Sequence, residues 1–441
     1  MKALPTYLST IILFAFSACL VTTLAAENLV YQDAQKYTVK VRSSVAFAAY
    51  PDDSGTRSGA GVLIDRKRGW IVTNRHVSGV TPKHLEVMFS DRDYLPAKVI
   101  FTDHFLDLSI LKTDPLGISR GSFSASPECR ALPDVGEQVV AFGFPFGLEL
   151  SGSRGVVSSI QKDIDHVWIQ TDAAINSGNS GGALTNLSTG RVVGINTSGY
   201  SKSKAEGIGF AIPMDHICRI LDILRREEDP NVHLIPVSFA PKPDHDFGLT
   251  VAWVYQNLPL IWPLKVGDEI ISVKRDGFVP VENEGELIHE LRGQVGSAYL
   301  KILRNQSERE IEVPLALRKN LSSSPLMHVS GMTLANYRAR DSELRPISSF
   351  IRIHEIDEGS DASVFGLEQW DYVVDVDGEH GSGDITDLCR HLYDAEKRGQ
   401  RVRLTVQRYE YNYFSDFGFR VFEITPEDVG MIVSGENTKN C

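Results

Sequence analysis

The sequence predicts a mainly β protein, with a strand-rich barrel- or sandwich-like domain first and two copies of a smaller α+β domain after it. From Val39 to about Gly199 the chain is a series of short β-branched and aromatic runs punctuated by glycine, proline and aspartate. That is the pattern of an all-β domain rather than of βαβ units. A strong helical period comes only at Met214 to Arg226, where Ile217, Ile220, Leu221 and Leu224 share a face. Beyond it, Leu264–Val273 is similar to Leu367–Val376, 103 positions later, and a short helix and a strand ending in arginine follow each copy. A repeated order at a fixed offset indicates one domain used twice.

Length and composition agree. At roughly 150 residues per domain, 441 residues make two to four domains. A hydrophobic share of 42% and a charged share of 23% exclude wholesale disorder. Forty-five Lys plus Arg against 57 Asp plus Glu leave a net charge of −12, so nucleic acid is not an expected partner. Five cysteines are too few for a disulfide scaffold and show no zinc-ligand spacing. Cys129, Cys218, Cys389 and Cys441 read mainly as buried thiols, with pairing open in an oxidising compartment.

Taken in order, residues 1–26 carry Lys2, an apolar run from Ile11 to Val21 and small residues before Glu27, the layout of a secretory signal peptide. Two other readings stay open: an uncleaved anchor over Leu8 to Ala26, and a lipidated Cys19. Within 27–230, strands are expected at Ser44–Ala48, Gly61–Ile64, Trp70–Thr73 and Gln138–Phe142, before the helix that Asp229-Pro230 ends. The first repeat spans 235–318, a linker with Leu321-Ser322-Ser323-Ser324-Pro325 covers 319–327, and the second repeat spans 328–430.

The chemistry concentrates in Asn176-Ser177-Gly178-Asn179-Ser180-Gly181-Gly182. A serine hydroxyl becomes a useful nucleophile when a base takes its proton and donors stabilise the oxyanion. Gly178 lets the backbone turn so that the amides of Gly178 and Ser180 converge, and the later glycines clear space for a peptide. The base is expected at His76, directly after the strand Trp70–Thr73. The orienting acid is expected at Asp107, read as an acid within an apolar strand that a histidine Nδ1–H would satisfy. Asp103, in a more polar stretch, reads as a turn residue. The order His, Asp, Ser matches chymotrypsin-type enzymes, whose double β-barrel agrees with the strand-rich reading.

These residues carry a resemblance to the HtrA/Deg serine proteases. It runs through Ser58–Ile64, Thr73–Val77, Asp107–Leu111, Gly143–Gly147, Gln170–Asn176, Gly178–Gly182 and Gly207–Pro213. It implies a chymotrypsin-like double-barrel protease domain followed by two PDZ domains. The activity implied is that of an exported, most naturally periplasmic, ATP-independent serine endopeptidase that degrades unfolded or damaged proteins and uses no cofactor. It names His76, Asp107 and Ser180 as the triad. Ala174 and Ile175 are placed at the floor of a neutral, apolar specificity pocket, and Thr197, Ser198 and Gly199 at its wall. The segments Phe144–Arg154 and Ser198–Gly207 match loops that switch the active site in relatives. A homotrimer or larger homo-oligomer is implied through the N-terminal segment, with Tyr31 and Tyr37. C-terminal peptides would bind the second PDZ domain, with Gly331, Met332, Thr333 and Leu334 as its carboxylate loop. The first copy is degenerate at Pro259–Pro263 and reads as a folded spacer. Two other functions remain open, a catalytically silent chaperone or peptide-binding protein and a regulatory protease with one dedicated substrate.

Overall fold

A computed structural model of the chain describes residues 28–441 except 46–54, 80–81, 83, 91–92, 163–166, 200–206, 241–248, 256–259, 318–325, 341–345, 381–383, 411–415, 434–435 and 438–440. The expected signal segment, 1–26, lies outside the described residues, as do Ala46–Ala48 of the first expected strand.

A helix over 28–37, α1, leads into two closed six-stranded antiparallel barrels. The first joins β1 (Thr38–Val45), β2 (Gly55–Asp65), β3 (Trp70–Asn74), β4 (His84–Met88), β5 (Leu95–Asp103) and β6 (Leu108–Thr113) in the order 1-2-3-6-5-4. The second joins β7 (Gln138–Gly143), β8 (Ser151–Lys162), β9 (Val167–Thr171), β10 (Ala183–Asn186), β11 (Val192–Gly199) and β12 (Gly209–Pro213) in the order 10-11-12-9-8-7. Closure leaves neither sheet an open edge. Val39, Val62, Leu63, Ile71, Val72, Ile110 and Leu111 are fully buried in the first barrel, each large side chain contributing about 1.5–3 kcal/mol. One turn of helix, α2 (Arg75–Ser78), follows β3, and α3 (Met214–Arg225) follows β12. The face of α3 formed by Ile217, Ile220 and Leu221 joins the same core as Leu63 and Trp70, as its period implies.

Tyr37 is buried, with its hydroxyl 3.2 Å from Thr185 Oγ1. Tyr31 packs edge-on against Phe142 at 5.2 Å between ring centroids. Both tyrosines are therefore engaged by the second barrel of their own chain.

The repeat is visible in three dimensions. In the first copy β13 (Val237–Phe239) pairs β14 (Val251–Val254), and β15 (Glu269–Lys274), β16 (Phe278–Pro280), β17 (Ser297–Arg304) and β18 (Ser307–Pro314) form a four-stranded sheet beside α4 (Glu284–Leu291). In the second, β19 (Leu326–Val329), β20 (Met332–Arg340), β21 (Pro346–Ile356) and later strands form one sheet packed on α5 (Asp361–Val364) and α6 (Ile385–Arg398). An arginine at or near the end of a strand makes the same contact in each copy. Arg304 grips Asp268 through Nε and Nη2 at 2.7 and 2.6 Å. Arg408 grips Asp371 in the same way at 2.8 and 2.7 Å. Both aspartates are 1% exposed, and a two-pronged guanidinium satisfies such a carboxylate.

Three expectations need correction. The cysteines are not buried thiols: Cys129 is bonded to Cys218 and Cys389 to Cys441. Spacing along the chain could not reveal pairs 89 and 52 residues apart. The linker ends earlier than 327, because Leu326 and Met327 are buried strand residues of β19. The second repeat also runs past 430, since the strand Gly430–Val433 pairs with β19 and Cys441 is tied to α6.

Candidate active site

The two barrels meet where their turns converge. Asn74 ends β3, and α2 carries His76 at the barrel rim with its side chain 42% exposed. Asp107 is not inside a strand, as its apolar neighbours suggested. It occupies the turn between β5 and β6 at φ 52°, a left-handed conformation that aspartate tolerates better than most residues. The turn is held from both sides. The Asp107 carbonyl accepts from Arg75 N at 3.0 Å and Asn74 Nδ2 at 3.1 Å. Its Oδ1 accepts from His76 N at 3.1 Å and lies 3.6 Å from Arg75 Nη2. Oδ2 stands 2.6 Å from His76 Nδ1. With that nitrogen donating, the other ring nitrogen, Nε2, is left as the acceptor.

Ser180 lies in the turn before β10, stitched to both barrels. Its carbonyl accepts from Ala60 N of β2 at 2.8 Å, and Gly181 N donates to Asn196 O of β11 at 2.8 Å. The glycines serve packing more than substrate access. A Cβ on Gly181 would fall 2.1 Å from Ala60 O, and one on Gly182 would fall 2.0 Å from Phe142 O. Gly178, at φ 100°, would meet Phe144 O at 2.1 Å. Among the described residues no group accepts from the amides of Gly178 or Ser180. Two donors without an acceptor beside a serine are what an oxyanion requires.

The serine hydroxyl donates to Thr197 O at 2.9 Å and makes no hydrogen bond to His76. Thr197, expected at the pocket wall, lies buried beside both the serine and the acid. It is 3% exposed, and its Oγ1 donates to Asp107 Oδ2 at 3.3 Å, so one residue touches both the serine and the acid. Nothing in the sequence around Thr197 signals this, because the contact spans 90 positions. Of the other expected pocket residues, Ala174 is exposed and its carbonyl accepts from Asn179 Nδ2 at 3.2 Å. Ile175 is half-buried facing Gly209, where an added Cβ would sit 2.8 Å from Ile175 Cδ1. Gly199 pairs with Gly209 in the β11–β12 ladder, and the side chain of Ser198 lies outside the described residues. Of the two expected switch loops, Ser151–Arg154 is paired strand against β7, and 200–206 lie outside the described residues.

The expected carboxylate loop is contradicted. Ser330 and Gly331, at φ 50° and 79°, are the turn between β19 and β20. Met332, Thr333 and Leu334 pair on one side with β19 and on the other with β21, and all three are buried. A residue whose main chain is bonded on both sides has no amides left for a carboxylate.

Two closed barrels carrying a histidine–carboxylate pair and a glycine-flanked serine, joined through Thr197, define a trypsin-like serine protease. Residues 59–195 match the family model of the trypsin-like peptidase domain. The chain is 30% identical over 342 residues to the periplasmic pH-dependent serine endoprotease DegQ of Escherichia coli, covering 72% of each. It is 29% identical over 380 residues to a probable periplasmic DegP-like serine endoprotease of Pseudomonas putida, covering 78% of this chain and 76% of that one. The solved HtrA-type protease AlgW with tripeptide shares the fold at a TM-score of 0.55 and 24% identity, over 67% of this chain and 98% of that chain. The chain belongs to the HtrA/DegP-like family and is a serine protease.

Proposed function

We propose that His76, Asp107 and Ser180 are the catalytic triad of an exported endopeptidase that cuts unfolded or damaged proteins. The observation that carries this reading is the 2.6 Å contact between His76 Nδ1 and Asp107 Oδ2, on the same rim as the unpartnered Gly178 and Ser180 amides. In the proposed reaction Ser180 turns its hydroxyl from Thr197 O toward His76 Nε2. Contacts of this kind often form only with substrate bound. Oγ attacks the peptide carbonyl as His76 accepts its proton. The two amides hold the developing oxyanion, and the amine leaves with the proton returned by His76. Water then releases the acyl group by the same steps. Asp107 keeps Nδ1 protonated and supports the imidazolium.

Ile175 and Gly209 are proposed to bound a neutral, apolar pocket, because Ala174 and Ile175 stand before the serine where an acid would favour basic side chains. The units at 235–318 and from Leu326 onward are proposed as PDZ-type modules, and assembly as a homotrimer or larger homo-oligomer rests on the family resemblance. With Met332–Leu334 paired on both sides, recognition of C-terminal peptides would fall to another edge of these modules. The test is casein degradation together with fluorophosphonate labelling. Both are expected in the wild type and absent in folded Ser180→Ala; persistent cleavage by that variant would remove Ser180 from the mechanism.

A further inference from the structure

Asp103, the acid that reads as a turn residue, leads from the first repeat to the catalytic acid. It is buried at the end of β5, and its Oδ1 accepts from the amides of Phe105 at 2.8 Å and Leu106 at 3.1 Å. It thereby shapes the turn that presents Asp107. Its other oxygen, Oδ2, lies 2.7 Å from Arg292 Nη2, a residue of the first repeat just after α4. The two side chains are 2% and 3% exposed. Nη2 has no N–H aligned on that oxygen, so the contact is a charge pair rather than a directed hydrogen bond.

Arg292 is held as firmly from behind. Its Nη1 donates to Pro230 O at 2.5 Å, and its carbonyl accepts from Arg219 Nη2 of α3 at 2.5 Å. Arg219 Nη2 also reaches Glu290 O at 3.1 Å. The ring of His216 on α3 stacks on His289 of α4 at 4.3 Å. Gly293 completes the approach, since a Cβ there would fall 2.7 Å from Ile223 Cδ1. The first repeat is therefore docked on the protease with a buried guanidinium aimed at the catalytic turn. A charge pair at this depth is a poor source of stability compared with apolar packing, and removing one partner strands the other. Its distinctive effect here is on position.

We infer that Arg292 is a positioning residue for catalysis: through Asp103 it fixes the turn that holds Asp107 against His76, which makes the first repeat a structural part of the active site. The inference rests on the proposed triad. A small displacement of a catalytic group far from the bond being broken can cost about 10²-fold in rate.

The test uses the full chain and a short chromogenic peptide that the protease rim alone can hold. Arg292→Met should lower kcat about 10- to 100-fold with KM little changed, while Arg292→Lys, which keeps the charge, recovers part of the loss. Asp103→Asn keeps an oxygen for the Phe105 and Leu106 amides but loses the ion pair. It should lower kcat in the wild-type background and have little further effect in Arg292→Met. The low-field proton resonance of His76 Nδ1–H should shift or weaken in both single variants. Circular dichroism and thermal melting confirm that each variant is folded. Wild-type kcat in folded Arg292→Met, or losses that simply multiply in the double variant with the His76 resonance unmoved, would overturn the inference. Ser180→Ala run alongside separates the two failures, because activity surviving there would instead remove the triad.

Discussion

Ser180 gives its hydroxyl hydrogen to the carbonyl of Thr197, 2.9 Å away, while Thr197 Oγ1 donates to the Asp107 carboxylate at 3.3 Å. Thr197→Val keeps the shape and the carbonyl but removes the second contact. A hydrogen bond to a charged group contributes about 1.5–3 kcal/mol, part of which the exposed side of Asp107 recovers from water. The expected result is a fall in kcat of about 3- to 10-fold with KM unchanged, measured by steady-state hydrolysis of a chromogenic peptide.

Asp107→Asn tests the orienting acid. The amide can present its NH2 group to His76 Nδ1, which favours the tautomer whose Nε2 carries the proton and cannot accept one. A loss in kcat of about 10³- to 10⁴-fold is expected, with unchanged melting temperature. Fluorophosphonate labelling should slow in parallel.

The glycines around the serine make opposite demands on fold and reaction. Gly182→Ala would drive a methyl to 2.0 Å from Phe142 O in β7. The barrel wall must shift, with a destabilisation of about 2–4 kcal/mol, readable by urea denaturation. Gly178→Ala adds a positive φ of 100° to a contact of 2.1 Å with Phe144 O. Loss of acyl transfer of about 10²- to 10³-fold is expected, the effect of losing one oxyanion donor.

The two disulfides close separations of 89 and 52 residues. Reduction, or Cys129→Ser with Cys218→Ser, should lower stability by about 2–4 kcal/mol per bond. Cys129 is exposed whereas Cys389 is fully buried. Timed alkylation with mass spectrometry should therefore show the Cys129–Cys218 bond opening first.

His354 links stability to pH. Burial, with Arg352 adding a like charge, lowers its pKa from 6.5 to about 4. The folded state keeps the ring neutral while the unfolded chain binds a proton near the ordinary value. Its stabilisation is thus complete above about 6.5 and is lost as pH falls toward about 4, by at most about 3 kcal/mol. Urea midpoints of the wild type should drop over that window, and His354→Phe should flatten the drop. An unchanged slope in that variant would assign the acid sensitivity to other groups.

Much of the molecule is legible before folding. The strand at Trp70, the helix from Met214 and the repeat with its terminal arginines follow from period, turn residues and offset, which act over a few neighbours. Asp107 was recognisable as an acid among apolar residues, although it occupies a left-handed turn rather than a strand, because an isolated run of apolar residues does not reveal where the ladder begins. Gly331–Leu334 forms a hairpin turn and strand rather than a binding loop, and local sequence hides this for a related reason. A glycine before alternating residues looks the same whether it opens a binding loop or closes a hairpin, and only the strands on both sides tell.

The amino-acid sequence alone determined which groups this protein brings to its chemistry and in what order: a histidine, an acid, a serine among glycines, and a domain repeated. Tertiary structure decided which of them touch. The 2.6 Å His76–Asp107 contact, the double role of Thr197, the Cys129–Cys218 bond and the Arg292–Asp103 bridge join residues 31, 90, 89 and 189 positions apart. Separations of that kind are set by barrel closure and domain docking, where buried area and charge pairing act between segments that local pattern treats as independent.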